Sequence, residues 1–144
     1  MNTGVKFYIA SSLENYAQVR EVAEQLKQAG HIHTYDWTVH GSVREEGSKR
    51  LCEVAQMEKQ GVLDADIVIV ILPGHRGTHA ELGMAIAAGK PVLICAEKES
   101  LIAQDTCAFY WSSCCLQCIG TQQRWIANAI LLARCVTGQK GESH

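Results

Sequence analysis

The chain alternates short apolar runs with longer stretches whose apolar residues recur at helical spacing. Val5–Ala10 is the first run, followed by Ser11-x-x-Glu14, which has the form of a helix capping box. Tyr16, Val19, Val22, Ala23 and Leu26 then share one helical face, and Gly30 ends that helix. His31–Tyr35 reads as a second strand. A further capping pattern, Ser42-x-x-Glu45, opens a helix with Leu51, Val54, Ala55 and Val62 along its stripe. Ile67–Leu72 is the strongest strand signal, continuous and β-branched, as in a parallel strand buried on both faces. After the loop Pro73-Gly74-His75-Arg76-Gly77, an Ala-rich helix is predicted from Thr78 to Ala88. Gly89-Lys90-Pro91 breaks it, and Val92–Cys95 is a fourth strand. Glu97 to Trp111 is expected to be short helix and loop, and Ser113–Ile119 a fifth strand. The last helix, Gln122–Val136, sets Trp125, Ile126, Ala129, Leu132, Ala133 and Val136 on one face. Gly138–His144 reads as a flexible polar tail, leaving 1–137 as one domain.

Strands alternating with helices imply a single parallel sheet with helices on both faces. For five strands the simplest arrangement is a flavodoxin-like, three-layer α/β domain with strand order 2-1-3-4-5. Ligands in such sheets bind at the carboxyl ends of the strands where the order reverses, here between strands 1 and 3. The loops after Ala10 and Leu72 are therefore expected at the mouth of a site.

Composition narrows the function classes. The 144 residues carry a formal net charge of -2, so no basic field argues for a nucleic acid polymer, and a small molecule is the expected partner. No apolar run approaches the roughly 20 residues that cross a bilayer, and the N-terminus lacks a signal-peptide layout. Seven cysteines in no framework spacing point to reduced thiols and a cytoplasmic protein. Cys114-Cys115-x-x-Cys118 has no second cysteine or histidine pair to complete a metal site. Neither a dinucleotide fingerprint nor a P-loop is present, so no cofactor is expected.

The candidate chemistry sits in Pro73-Gly74-His75-Arg76-Gly77-Thr78-His79-Ala80-Glu81. Gly74 and Gly77 permit a tight turn and close approach to a ligand. Free N–H groups at the helix start, the Thr78 hydroxyl, His75 and Arg76 suit an anion or a ring of hydroxyls. Glu81 lies about one turn in. Two roles compete for it, since Thr78-x-x-Glu81 is also a capping box in which Glu81 only satisfies a backbone N–H. Glu58 falls on the apolar stripe of the second helix, where a carboxylate is costly unless it is paired or faces a cavity. Asp36 and Trp37 follow strand 2 and could contact a sugar hydroxyl and stack on a base, or be a turn acid beside a half-buried aromatic. Ser11 either lines the crevice or serves only as a cap.

At these residues the sequence resembles the nucleoside 2-deoxyribosyltransferase family. Phe7-Tyr8-Ile9-Ala10-Ser11, Asp64-Ala65-Asp66, Gly77-Thr78-His79-Ala80-Glu81-Leu82-Gly83-Met84-Ala85 and Gly89-Lys90-Pro91-Val92 carry the likeness, over residues 5–95. The resemblance implies that Glu81 is a nucleophile forming a glycosyl-enzyme intermediate and that Tyr8 orients it. It also implies that Glu58 handles the base and that the protein assembles as a homo-oligomer. One departure matters. The family's nucleoside-specific enzymes bind the sugar 5′-hydroxyl with an aspartate six residues before the nucleophile; here His75 stands there, beside Arg76. Two potential cations suit a 5′-phosphate, as in the related deoxynucleoside-monophosphate N-glycosidases. The loop is also similar to the P-G-G-x-G-T-x-x-E of the cytokinin-activating phosphoribohydrolases. Nucleosides and their 5′-monophosphates both remain open as substrates, as do transfer of the sugar to a second base and to water. A rival of another class is a domain that binds a nucleotide signal without turning it over.

Overall fold

The computed structural model describes residues 4–142, with side chains through residue 138. The β-branched run at Ile67–Ile71 forms β3 at the centre of the sheet, every residue of it buried. β1 (Lys6–Ala10) pairs with one side of it, from Phe7 opposite Ile67 to Ala10 opposite Val70, and β4 (Val92–Ala96) with the other. β2 (Ile32–His33) and β5 (Cys115–Ile119) close the edges. All pairings are parallel and the order is β2-β1-β3-β4-β5, the flavodoxin-like arrangement expected from the alternation of elements.

Four helices cover the sheet: α1 (Tyr16–Gln28), α2 (Ser48–Asp64), α3 (Arg76–Ala87) and α4 (Gln122–Glu142). α1 packs against α4 and α2 against α3, one pair on each face, as right-handed crossovers require. Val19, Val22 and Leu26 of α1 join Trp125, Ala129 and Ala133 of α4 in one half of the core, and Leu82 and Ala85 of α3 lie in the other.

The boundaries differ from expectation where side chains found other partners. Ser11-x-x-Glu14 makes no cap. A 3-10 turn, Leu13–Asn15, precedes α1, and the Ser11 hydroxyl donates instead to the Ile71 carbonyl at 2.8 Å. Ser42-x-x-Glu45 does not open α2 either. Residues Arg44–Glu46 form a separate 3-10 turn that stops at Gly47, whose φ of 94° breaks the run. α3 starts at Arg76, ahead of Thr78, because His75 is extended and its N–H donates to Thr78 Oγ1 at 3.3 Å. β2 is short because the chain turns away after His33, where Thr34 Oγ1 donates to the Gly61 carbonyl at 2.7 Å. The stretch between β4 and β5 contains two 3-10 turns, Glu99–Leu101 and Ala108–Trp111. α4 continues through the segment expected as a tail, to Glu142, while Ser143 and His144 lie outside the described residues.

One glycine decides how closely α2 approaches the sheet. A Cβ at Gly61 would lie 2.8 Å from Tyr35 Cβ and 2.9 Å from the Tyr8 ring, so neither neighbour could stay in place. Gly83, on the outer side of α3, has nothing within 4 Å of such a carbon. Gly61→Ala should therefore lower stability by about 1–3 kcal/mol through overpacking. Gly83→Ala should raise it by about 0.5–1 kcal/mol through helix propensity. Urea denaturation of the two variants checks this, and equal shifts would contradict the packing at Gly61.

Candidate active site

The two loops at the reversal of strand order are tied together by side chains. Ser12 Oγ and Asn15 Nδ2 both donate to the Pro73 carbonyl, at 3.1 and 2.8 Å, in addition to the Ser11 bond to Ile71. These bonds hold the β1 and β3 loops as one rim. Below the rim is a pocket of about 580 Å³, a size that suits a nucleoside or nucleotide.

The upper half of the α2 stripe forms a wall of this pocket rather than part of the core. Leu51, Val54, Ala55 and Glu58 line it, and Leu51 is 41% exposed although its position on the stripe predicts burial. Glu58 is thus a carboxylate on an apolar stripe because that stripe faces a cavity. Glu81, from α3, lines the same pocket and is only 6% exposed. It is no cap: Tyr8, fully buried on β1, donates its hydroxyl to Glu81 Oε2 at 2.8 Å. Three elements, β1, α2 and α3, therefore bring Tyr8, Glu58 and Glu81 together.

The electrostatics follow from burial. Glu81 holds its proton well above the ordinary value of 4.5, first because it is desolvated and second because Glu58 lies close by. The Tyr8 hydrogen bond opposes that shift without cancelling it. Tyr8 itself is pushed far up by burial and by the charges of Glu81 and Glu58, so it remains a hydroxyl donor at any working pH.

The remaining candidates divide. Ser11, Trp37, His75, Gly77 and Thr78 line the pocket. Trp37 is fixed there by its indole N–H, which donates to the Ile9 carbonyl at 2.8 Å. His75 Nε2 meets Glu14 Oε1 at 2.6 Å across the rim, both side chains being largely exposed. Asp36, Gly74 and Arg76 are not among the lining residues. Asp36 accepts from the Thr38 N–H and hydroxyl, capping the 3-10 turn Trp37–Val39. Gly74 packs on Thr78, where a Cβ would come within 2.5 Å of Thr78 Cγ2. Arg76 is exposed at the first position of α3. The expected pair of cations at this rim is thus divided, with His75 on the pocket and Arg76 off it.

Sequence reasoning missed other lining residues, among them the polar Glu14, His40, Ser42 and Arg44. The Arg44 guanidinium makes no hydrogen bond or ion pair among the described residues. No spacing marks it, since it stands in an isolated turn between Gly41 and Gly47. Glu14 was assignable only to a capping box that does not form. Among the described residues no cluster of His, Cys, Asp or Glu could hold a metal ion, and no helix is long and apolar enough to cross a membrane.

The chain is thus an α/β protein with a parallel 2-1-3-4-5 sheet and a buried, tyrosine-bound carboxylate at its switch point. The sequence matches the profile of the nucleoside 2-deoxyribosyltransferase family over residues 7–129, and the chain belongs to that family. Among solved structures it is similar to the CMP N-glycosidase BcmB of Clostridium botulinum, with a TM-score of 0.62 at 18% identity. The likeness covers 88% of this chain and 98% of that one, and at such identity it speaks for the fold. The family and this neighbour are glycosyl-transferring and N-glycosidic enzymes. No curated protein matches the sequence.

The raised affinity of Glu81 for its proton has a consequence for stability. Its folded value lies above the unfolded one, so the fold is favoured below pH 4.5 and loses that contribution as pH rises toward the folded value. Glu81→Gln keeps an acceptor for Tyr8 and removes the charge. It should raise the unfolding midpoint at pH 8 by a few degrees, about 3 °C or more, with the gain vanishing near pH 4. A midpoint unchanged or lowered at pH 8 in thermal scans would contradict the account of Glu81.

Proposed function

We propose that this protein cleaves the N-glycosidic bond of (deoxy)nucleosides or their 5′-monophosphates through a covalent glycosyl-Glu81 intermediate. The observation that carries this reading is the buried Tyr8–Glu81 hydrogen bond at 2.8 Å, with Glu58 on the same pocket. A buried carboxylate facing a cavity, aimed by a hydroxyl that cannot itself ionise there, is what a nucleophile at an anomeric carbon requires.

The chemistry balances within the pair. Burial and the nearby charge of Glu58 favour a state in which Glu81 retains a proton. Glu81 gives up that proton, which passes to the departing base by way of Glu58, and its freed oxygen attacks C1′ as the bond from C1′ to the base nitrogen breaks. The ester to Glu81 is then opened by water, giving the free sugar, or by the nitrogen of a second base, giving a new nucleoside. In either case the proton lost by the attacking group restores the pair. Trp37 and the apolar wall of Leu51, Val54 and Ala55 suit a planar base. Ser11, Ser12, Gly77 and Thr78 suit the sugar and its 5′ end. Arg44, rather than Arg76, is the guanidinium available to a phosphate in this pocket.

Chromatographic assay of base release from matched deoxynucleosides and 5′-monophosphates, with and without an acceptor base, tests the reading. Glu81→Gln should abolish turnover while ligand still binds. Tyr8→Phe should lower kcat about tenfold or more. The rate should fall at high pH, as the site loses the proton that Glu81 retains. If monophosphates are substrates, Arg44→Ala should raise their KM about tenfold, the loss of roughly one charge-assisted contact, with nucleosides little changed. Unaltered ligand after long incubation with wild type would defeat the reading and favour a binding-only domain.

A further inference from the structure

The segment between β4 and β5 reaches the pocket through a chain of hydrogen bonds that no motif announces. His79, in the first turns of α3, has both ring nitrogens engaged: Nδ1 with the His75 carbonyl at 2.7 Å and Nε2 with the Tyr110 hydroxyl at 2.6 Å. A carbonyl can only accept, so Nδ1 carries the hydrogen. In the neutral ring Nε2 is then an acceptor, and Tyr110 must donate to it. Tyr110 suits that part. It is 3% exposed, it sits in the 3-10 turn Ala108–Trp111, and burial, with Cys107 nearby, pushes its pKa up and keeps the hydroxyl protonated. The ring of His79 lies against that of Tyr110, with centroids 5.8 Å apart.

The far end of this chain is the residue that starts α3. The His75 carbonyl accepts both from His79 Nδ1 and from the His79 backbone N–H, the latter at 3.2 Å, while the His75 N–H is held by Thr78 Oγ1. The peptide groups on both sides of His75 are thus fixed. His75, Gly77 and Thr78, which line the pocket, all belong to this turn. Elsewhere the rim is tied to β1 through the Pro73 carbonyl, and His79 supplies the corresponding tie on the side of α3.

We infer that Tyr110 and His79 are positioning residues, which set the conformation of the first turn of α3 and thereby the affinity of the pocket for the sugar end of its substrate. The inference rests on the proposed function for its kinetic part but not for its structural part. Without the Tyr110 donor, His79 loses its preferred tautomer and orientation. The His75 carbonyl then loses its shorter partner, and the turn that carries Gly77 and Thr78 on the pocket wall is no longer fixed from this side.

The test uses the full chain carrying Tyr110→Phe, His79→Ala and His79→Asn, together with the Tyr110→Phe/His79→Ala double variant. Asparagine places an amide N–H near the position of Nδ1 and can restore the bond to His75, but it offers nothing to Tyr110. Amide NMR should show the Gly77 and Thr78 resonances shifted in Tyr110→Phe and His79→Ala and returned toward wild type in His79→Asn. With a deoxynucleoside or its 5′-monophosphate as the probe, KM should rise about fivefold or more in both single substitutions, with kcat within twofold. The double variant should be no worse than His79→Ala, because both act through one path. Unmoved Gly77 and Thr78 resonances, or KM losses that add in the double variant and follow the unfolding midpoint, would overturn the inference. Absence of turnover by wild type would count against the proposed function alone, and the amide shifts would still decide whether the relay exists.

Discussion

A carboxylate held out of water is the constraint on which the rest of this structure depends. Glu81 is nearly inaccessible and lies close to a second carboxylate, an arrangement that costs stability unless something offsets it. The offset is local: a tyrosine hydroxyl at 2.8 Å and a proton retained in the pair. Much of the surrounding architecture serves to keep those groups where they are. β1 must be buried so that Tyr8 is dry. Gly61 must lack a side chain so that α2 can pass over the Tyr8 ring. Ser12 and Asn15 hold the rim through Pro73, so that α3 enters at a fixed angle.

The same constraint gives the site its chemistry. In water a carboxylate is a weak nucleophile and a carboxylic acid is soon ionised. In the proposed reaction, a carboxyl group that keeps its proton out of water would supply that proton to the departing base and then its oxygen to the sugar. Tyr8 donates to Glu81 and so favours its ionised form, opposing without cancelling the effect of burial. The cost of this arrangement in fold stability and the role proposed for it in the reaction are two aspects of one shifted equilibrium.

Much of this was legible in the sequence, and the failures have physical reasons. The sheet order followed from the alternation of β-branched runs with helical stripes, because parallel strands need crossovers and crossovers have a hand. Glu58 was legible as a violation: a carboxylate on an apolar stripe, which the structure places on a cavity. The capping boxes at Ser11 and Ser42 were not sound: at Ser11 a tertiary bond to the Ile71 carbonyl prevailed over a local one, and after Ser42 the turn Arg44–Glu46 stops at Gly47 before α2 begins. The rim residues were legible only in part: His75 lines the pocket and Arg76 does not. His75 and Arg76 are adjacent in sequence, but the turn into α3 sends them to different sides. Arg44 and Tyr110 lie in irregular segments where periodicity carries no information, so their places on the pocket and behind it became visible only in three dimensions.

The central claim is that Glu81 forms a bond to the anomeric carbon. Its most direct test is mass spectrometry of peptides after incubation with a 2′-fluoro-arabino nucleoside and its 5′-monophosphate, whose electron-poor sugars slow the second step. The account predicts a glycosyl adduct on the peptide containing Glu81, present in wild type, lost on adding an acceptor base or on long standing in water, and absent in Glu81→Gln. Release of base with no adduct at any time, and with inversion at the anomeric carbon, would contradict it.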